Sequence, residues 1–228
     1  MRHIRDALAA SSNPAPFVER THSQRSVAIF DLGGVLLDWD PRHLYRKLFD
    51  GDETAMEQFL ATICTTEWNE RQDAGRSFAE ATQELLPLHP DKIELIEAFG
   101  KRFGEMITGA IDGSVDVLAE LKARAVPIYA ITNWSVETFP AQRQRFTFLS
   151  WFDGIVISGR EGVIKPDPRI FRILCERHGV APESAVFIDD VAANADAASA
   201  LGIHGIHFRS PDQLRRELVA VGLLPGSG

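Results

Sequence analysis

Along residues 26–208, short apolar runs alternate with segments of helical period. Five runs are brief and mostly apolar: 27–30 (VAIF), 127–131 (PIYAI), 155–157 (IVI), 185–188 (AVFI) and 204–208 (HGIHF). Continuous apolar runs of this length suit strands buried on both faces of a parallel sheet. Between and after them, apolar residues recur at helical spacing over 115–124, 136–148, 168–178, 192–201 and 211–221. The alternation predicts an α/β fold, a doubly wound Rossmann-like parallel sheet.

One connection is too long for this plan. A parallel crossover needs only about a dozen residues, yet residues 31–126 separate the first two strands. A structureless loop of that length is foreign to a compact domain, so the insert is expected to fold by itself. Helical period appears at 41–49, 53–63, 78–86 and 91–106, and Asp40–Pro41 makes an N-cap and first-turn pair. The expected organisation is a core of residues 26–40 and 110–228 with a helical cap over 41–109. That cap would sit over the carboxyl end of the first strand, where open α/β sheets bind ligands. Residues 1–25 read as a flexible N-terminal extension, because Ser11–Pro16 breaks any helix.

Composition narrows the function. The net charge is −8, from 24 basic and 32 acidic residues, with no basic block. Such a chain is ill suited to tracking a nucleic-acid backbone. Its apolar runs are too short to span a membrane. The two cysteines, Cys64 and Cys175, have no motif spacing and are expected as reduced thiols in a cytoplasmic protein. No secretory leader pattern opens the chain.

The chemistry-bearing residues fall where strands end. VAIF is followed by Asp31, and Gly33–Gly34 then permit a tight turn and close approach of a ligand to the backbone. An ionised carboxylate there needs a partner, because desolvation is costly; a simple turn cap fits as well. The second strand ends in Thr132–Asn133, able to hold phosphate oxygens or to cap a helix. Lys165 precedes Pro166 and a helix start, a place from which an ammonium can reach inward. The fourth strand ends in Asp189–Asp190, two adjacent anions that repel unless a cation neutralises them. Hard oxygen ligands of this kind suit Mg²⁺. All four stretches are expected at one edge of one sheet.

Together these segments resemble the motifs of the haloacid dehalogenase (HAD) superfamily of hydrolases: DLGGV, TN, KPDP and FIDD in order, with AIDGSVDVLAELK (110–122) resembling the return from the cap. The resemblance implies the sheet order 5-4-1-2-3 and a helical cap. It implies Asp31 as nucleophile on phosphorus and Lys165 paired with it. Thr132, Asn133 and Lys165 would bind phosphate, and Asp31, the Gly33 carbonyl and Asp190 would hold Mg²⁺, with Asp189 close by. Asn194 falls where a further metal-water contact is sometimes found.

The pattern departs from the family's phosphatases at Gly33, where most carry a second Asp that donates and then accepts a proton. Three readings follow. The first is a phosphatase for a small phosphorylated metabolite such as a sugar phosphate, resembling the glucose-1-phosphatase-like subgroup. The second is a 2-haloacid dehalogenase in which Asp31 attacks carbon, although its metal-free site gains nothing from Asp189–Asp190. The third is a pseudo-enzyme that binds phosphate or a partner without turnover. Asp38 and His43 are candidate replacement acids. Trp39 and Trp134 lie near the motifs, and the polar segment 67–75, expected as a loop into the site's mouth, offers Arg71, Gln72 and Asp73 as specificity residues.

Overall fold

The computed structural model describes residues 25–226; apart from Arg25, the expected extension over 1–25 lies outside them. Five parallel strands form the main sheet: β1 (Val27–Phe30), β4 (Ile128–Thr132), β5 (Gly154–Ile157), β6 (Ala185–Asp189) and β7 (His204–His207). A second, two-stranded antiparallel sheet joins β2 (Leu37–Trp39) to β3 (Ile107–Ala110). The main sheet runs β5-β4-β1-β6-β7, with β1 at its centre. Counted by themselves, its five strands follow the expected order read from the opposite edge.

Alternation along each strand explains why both faces are covered. In β1, Ala28 and Phe30 join one hydrophobic cluster, whereas Val27 and Ile29 join the other. In β6, Val186 and Ile188 face the first cluster, and Ala185 and Phe187 the second. Helix α6 (Asp112–Ala123) and helix α11 (Pro211–Ala220) contribute Leu118, Leu121, Leu214 and Leu218 to the first. Helix α9 (Pro168–His178) and helix α10 (Ala192–Ala200) cover the second through Ile170, Phe171, Leu174 and Ala198. Helices α7 (Phe139–Arg145) and α8 (Ser158–Glu161) follow β4 and β5.

Between β2 and β3 lie five helices: α1 (Arg42–Leu48), α2 (Glu53–Thr62), α3 (Thr66–Asp73), α4 (Phe78–Leu85) and α5 (Ile93–Lys101). Their shared centre is aromatic. Tyr45 lies 5.0 Å from Phe59, and Trp68 meets Phe99 edge-on at 5.2 Å between ring centroids. Burial of these rings supplies most of what orders the helices.

Two sequence expectations are corrected. The polar stretch 67–75 is largely helix α3, not a loop. Thr65 caps it by accepting from the Trp68 N–H at 3.1 Å, Glu67 sits in the first turn, and Gly75 at φ +106° follows its end. Strands β2 and β3 escape the apolar pattern because polar or small residues interrupt each, Asp38 in one and Thr108–Gly109 in the other.

Candidate active site

The site begins where β1 stops. The Asp31 N–H donates to the Ile188 carbonyl at 2.8 Å, so the sheet's ladder continues to the residue that carries the carboxylate. The Asp31 Oδ1 in turn accepts from the Leu32 N–H at 2.7 Å. The chain then turns through Gly34 at φ +70°, where a Cβ would lie 2.2 Å from Asp190 Oδ2. Only glycine tolerates both the left-handed backbone and that approach.

Lys165 joins two strand ends. Its Nζ lies 2.8 Å from Asp31 Oδ2 and donates to Asp189 Oδ2 at 2.7 Å, with only 3% of the residue exposed. Asn133 holds the lysine from its backbone: Oδ1 accepts from the Lys165 N–H at 2.8 Å, and Nδ2 donates to the Lys165 carbonyl at 3.1 Å. This two-point clamp uses the Asn133 side chain that the motif reading offers to phosphate. The Lys165–Pro166 bond is cis. Asp189 is likewise committed, since its Oδ1 accepts from the Val191 N–H and from Asn194 Nδ2 at 2.8 and 2.9 Å. Asp189 and Asn194 therefore position Lys165 and the turn that follows β6.

The electrostatics leave an excess of negative charge. Burial raises the Asp31 pKa to about 7 against the pull of Lys165, with Asp189 and Asp190 pushing the same way as burial. Burial, then Asp189, also raises Asp190. Burial alone would depress Lys165, but Asp31 and Asp189 outweigh it and hold the ammonium above the usual lysine range. Oxygens of Asp31, Asp189 and Asp190 all lie within 4.8 Å of one another. Three carboxylates against one ammonium, all offering hard oxygen donors, fit a small divalent cation such as Mg²⁺.

A cavity of about 580 Å³ opens over these residues. Asp31, Gly33, Thr132, Asn133, Lys165 and Asp190 form its floor. Trp39, Leu60, Cys64, Phe99, Phe103 and Trp134 give it apolar walls. Trp39 Nε1 is buried with no hydrogen-bond partner among the described residues, whereas Trp134 Nε1 donates to Thr138 Oγ1 at 3.0 Å. Among the specificity candidates on α3, Asp73 lines the cavity and is 8% exposed. Arg71 instead pairs with Glu84 at 2.6 Å on the exterior, and Gln72 is fully buried with Oε1 accepting from Arg76 Nε. Helical period explains the split, since successive residues point in different directions.

Neither replacement acid considered from sequence lines this cavity. Asp38 and His43 face each other at 3.3 Å, and Asp38 also accepts from Thr108. His43 borders a separate surface groove with Arg46, Lys47 and Arg145. Sequence reasoning passed over Asn69, which lines the cavity and donates to Asp73 Oδ2 at 2.9 Å. Its i, i+4 spacing from Asp73 is the available signal.

Comparison with known proteins places the chain in a family. A family model described as haloacid dehalogenase-like hydrolase matches residues 26–202. The chain is 30% identical over 219 residues to acyl-CoA dehydrogenase family member 10 of Mus musculus, covering 87% of this chain but 19% of that longer protein. It is 29% identical over 183 residues to sesquiterpene phosphatase astK of Aspergillus oryzae, covering 79% of this chain and 88% of that one. A solved HAD family enzyme of Bacteroides thetaiotaomicron, in complex with magnesium and inorganic phosphate, has a similar fold. Its TM-score is 0.61 at 21% identity, over 82% of this chain and 95% of that one. A family match over residues 26–202, most of the described residues, makes this chain a member of the haloacid dehalogenase-like hydrolases.

Proposed function

We propose that the protein is a Mg²⁺-dependent phosphatase that moves the phosphoryl group of a small phosphorylated metabolite onto Asp31. The observation that carries this reading is the buried triad in which Lys165 bridges Asp31 and Asp189 beneath the cavity, with Asp190 beside them. A carboxylate attacking a phosphate is anion meeting anion, so positive charge must be prearranged at the point of attack. Lys165 supplies one fixed charge. Asp31, Asp190 and the Gly33 carbonyl would hold Mg²⁺, which supplies the rest by neutralising phosphate oxygens.

The chain's own groups divide the remaining work. Asp31 forms an acyl phosphate, splitting one difficult displacement into two easier ones. Thr132, 1% exposed at the end of β4, offers a hydroxyl to the phosphoryl oxygens, and Asn133 keeps Lys165 in place. The apolar walls contributed by α2, α5 and Trp39 receive the organic part of the ester and exclude water from it. The relatives named sesquiterpene phosphatase and phosphorylated carbohydrates phosphatase, covered over 88% and 82% of their lengths, support phosphate ester hydrolysis. The acidic pair after β6 favours this over attack on carbon, since a halide leaves without metal help.

The test is a paired assay on purified protein. Inorganic phosphate released from sugar, nucleotide and prenyl phosphates is measured with Mg²⁺ and with chelator, alongside chloride release from 2-haloacids. Metal-dependent phosphate release lost in Asp31→Asn supports the reading. Metal-independent chloride release, or phosphate binding without turnover, overturns it.

A further inference from the structure

The site as described has a nucleophile and a fixed cation but no proton donor for the departing oxygen. Gly33 has no side chain, Asp189 is committed to Lys165, and Asp38 and His43 face elsewhere. Most metabolite esters leave as alkoxides, which are poor leaving groups unless protonated as the bond breaks. Among the described residues, the cavity contains one further carboxyl that is buried rather than solvated, Asp73 at the end of α3.

Several contacts hold the end of α3 against α8 and against the loop that follows the Thr132–Asn133 strand end. The Ser158 hydroxyl donates to the Asp73 carbonyl at 2.6 Å and accepts from the Trp134 N–H at 2.9 Å, so one oxygen ties the two segments together. Gly75 approaches so closely that a Cβ there would lie 3.1 Å from the Gly159 carbonyl. Glu137, on the same loop, accepts from the Phe78 N–H at 2.9 Å. The carboxyl itself is oriented by Asn69, whose Nδ2 donates to Oδ2 at 2.9 Å.

We infer that Asp73, delivered from the helical insert, is the general acid and base of the reaction. Its pKa, raised to about 7 by burial and then by Glu70 against the pull of Lys165 and the Ser135 N–H, leaves both protonation states populated at neutral pH. In the first step an Asp31 oxygen bonds to phosphorus, the phosphorus–oxygen bond to the substrate breaks, and the departing oxygen takes the Asp73 proton to become an alcohol. In the second step the Asp73 carboxylate takes a proton from water as the water oxygen attacks phosphorus. The Asp31–phosphorus bond breaks, releasing phosphate and restoring both residues. Asn69 is a positioning residue in this scheme.

The inference rests on the phosphatase reading, and leaving-group chemistry separates the two. Wild type, Asp73→Asn and Asp73→Glu are assayed with Mg²⁺ on an alkyl phosphate and on 4-nitrophenyl phosphate, whose phenolate leaves unaided. In Asp73→Asn, kcat/KM on the alkyl ester should fall about 10²–10⁴-fold. With 4-nitrophenyl phosphate kcat/KM should hold within a few-fold, while kcat falls and phosphorylated enzyme accumulates. Asp73→Glu, which keeps a carboxyl, should recover part of the alkyl-ester rate, and melting temperatures confirm that each variant is folded. A purely structural role would lower kcat/KM on both esters alike, and that result, or no loss on either, overturns the inference. A wild type inactive on every ester would instead sink the phosphatase reading itself.

Discussion

Lys165→Met replaces a buried ammonium with an apolar side chain of similar length. The lysine is 3% exposed, and its Nζ is bonded at 2.8 and 2.7 Å to two carboxylates that have no other cationic partner among the described residues. Removing one partner of a buried ion pair costs about 3–5 kcal/mol, because the remaining charge stays desolvated. That cost should depend on pH in a definite direction. Asp31 sits at about 7 even with Lys165 beside it, against about 3.9 in an unfolded chain. Without the ammonium its pKa rises further, so at pH 5 the folded variant keeps this carboxyl neutral and escapes much of the penalty. At pH 8 the wild type ionises Asp31 against Lys165 whereas the variant does not, and a larger loss appears. Urea denaturation in the presence of chelator, at pH 5 and pH 8, measures both values. The expected result is a wild-type advantage of about 3–5 kcal/mol at pH 8 that shrinks by about 1.4 kcal/mol at pH 5, because pH 8 lies about one unit above the wild-type Asp31 pKa. A loss below about 1 kcal/mol at pH 8, or an equal loss at both pH values, would refute the claim that the ammonium compensates buried carboxylates.

Asp31→Asn should abolish phosphate release and incorporation of phosphate label into the protein while the fold persists, as checked by circular dichroism. Gly34→Ala should weaken Mg²⁺ affinity at least about tenfold by calorimetry, because the new Cβ would lie 2.2 Å from Asp190 Oδ2 in a left-handed backbone. Metal-free wild type should lose stability as pH rises from about 4 to 7. Asp31 and Asp73 each bind protons more tightly folded, at about 7, than unfolded, so the folded state holds the excess protons in that window. Glu105 and Asp167, both lowered to about 2 chiefly by side-chain bonds to Arg102 and Arg169, act in the opposite sense, in a window that lies below pH 4.5. Asp31→Asn should flatten the slope between pH 4 and 7, and urea midpoints in chelator would show whether it does.

The runs of apolar residues specify the sheet and the placement of its chemistry. Buried parallel strands must be apolar at successive positions, so VAIF, PIYAI and AVFI announce themselves, and polar residues at their ends stand out against that background. Asp31, Thr132, Lys165 and Asp190 were therefore legible as residues that meet at one edge. The tertiary structure decided the partners. Nothing local shows that Asn133 spends its amide on the Lys165 backbone, or that Asp189 is committed to the lysine while Asp190 borders the cavity. Nor does it show that Arg71, Gln72 and Asp73, three consecutive polar residues, go to an exterior ion pair, a buried bond and the cavity. Strand pattern reports burial through a period of two that needs no knowledge of neighbours. Which atom meets which across 24 to 85 residues of chain depends on how α3 and the loop after β4 dock, and docking is a property of packed surfaces rather than of any local run of sequence.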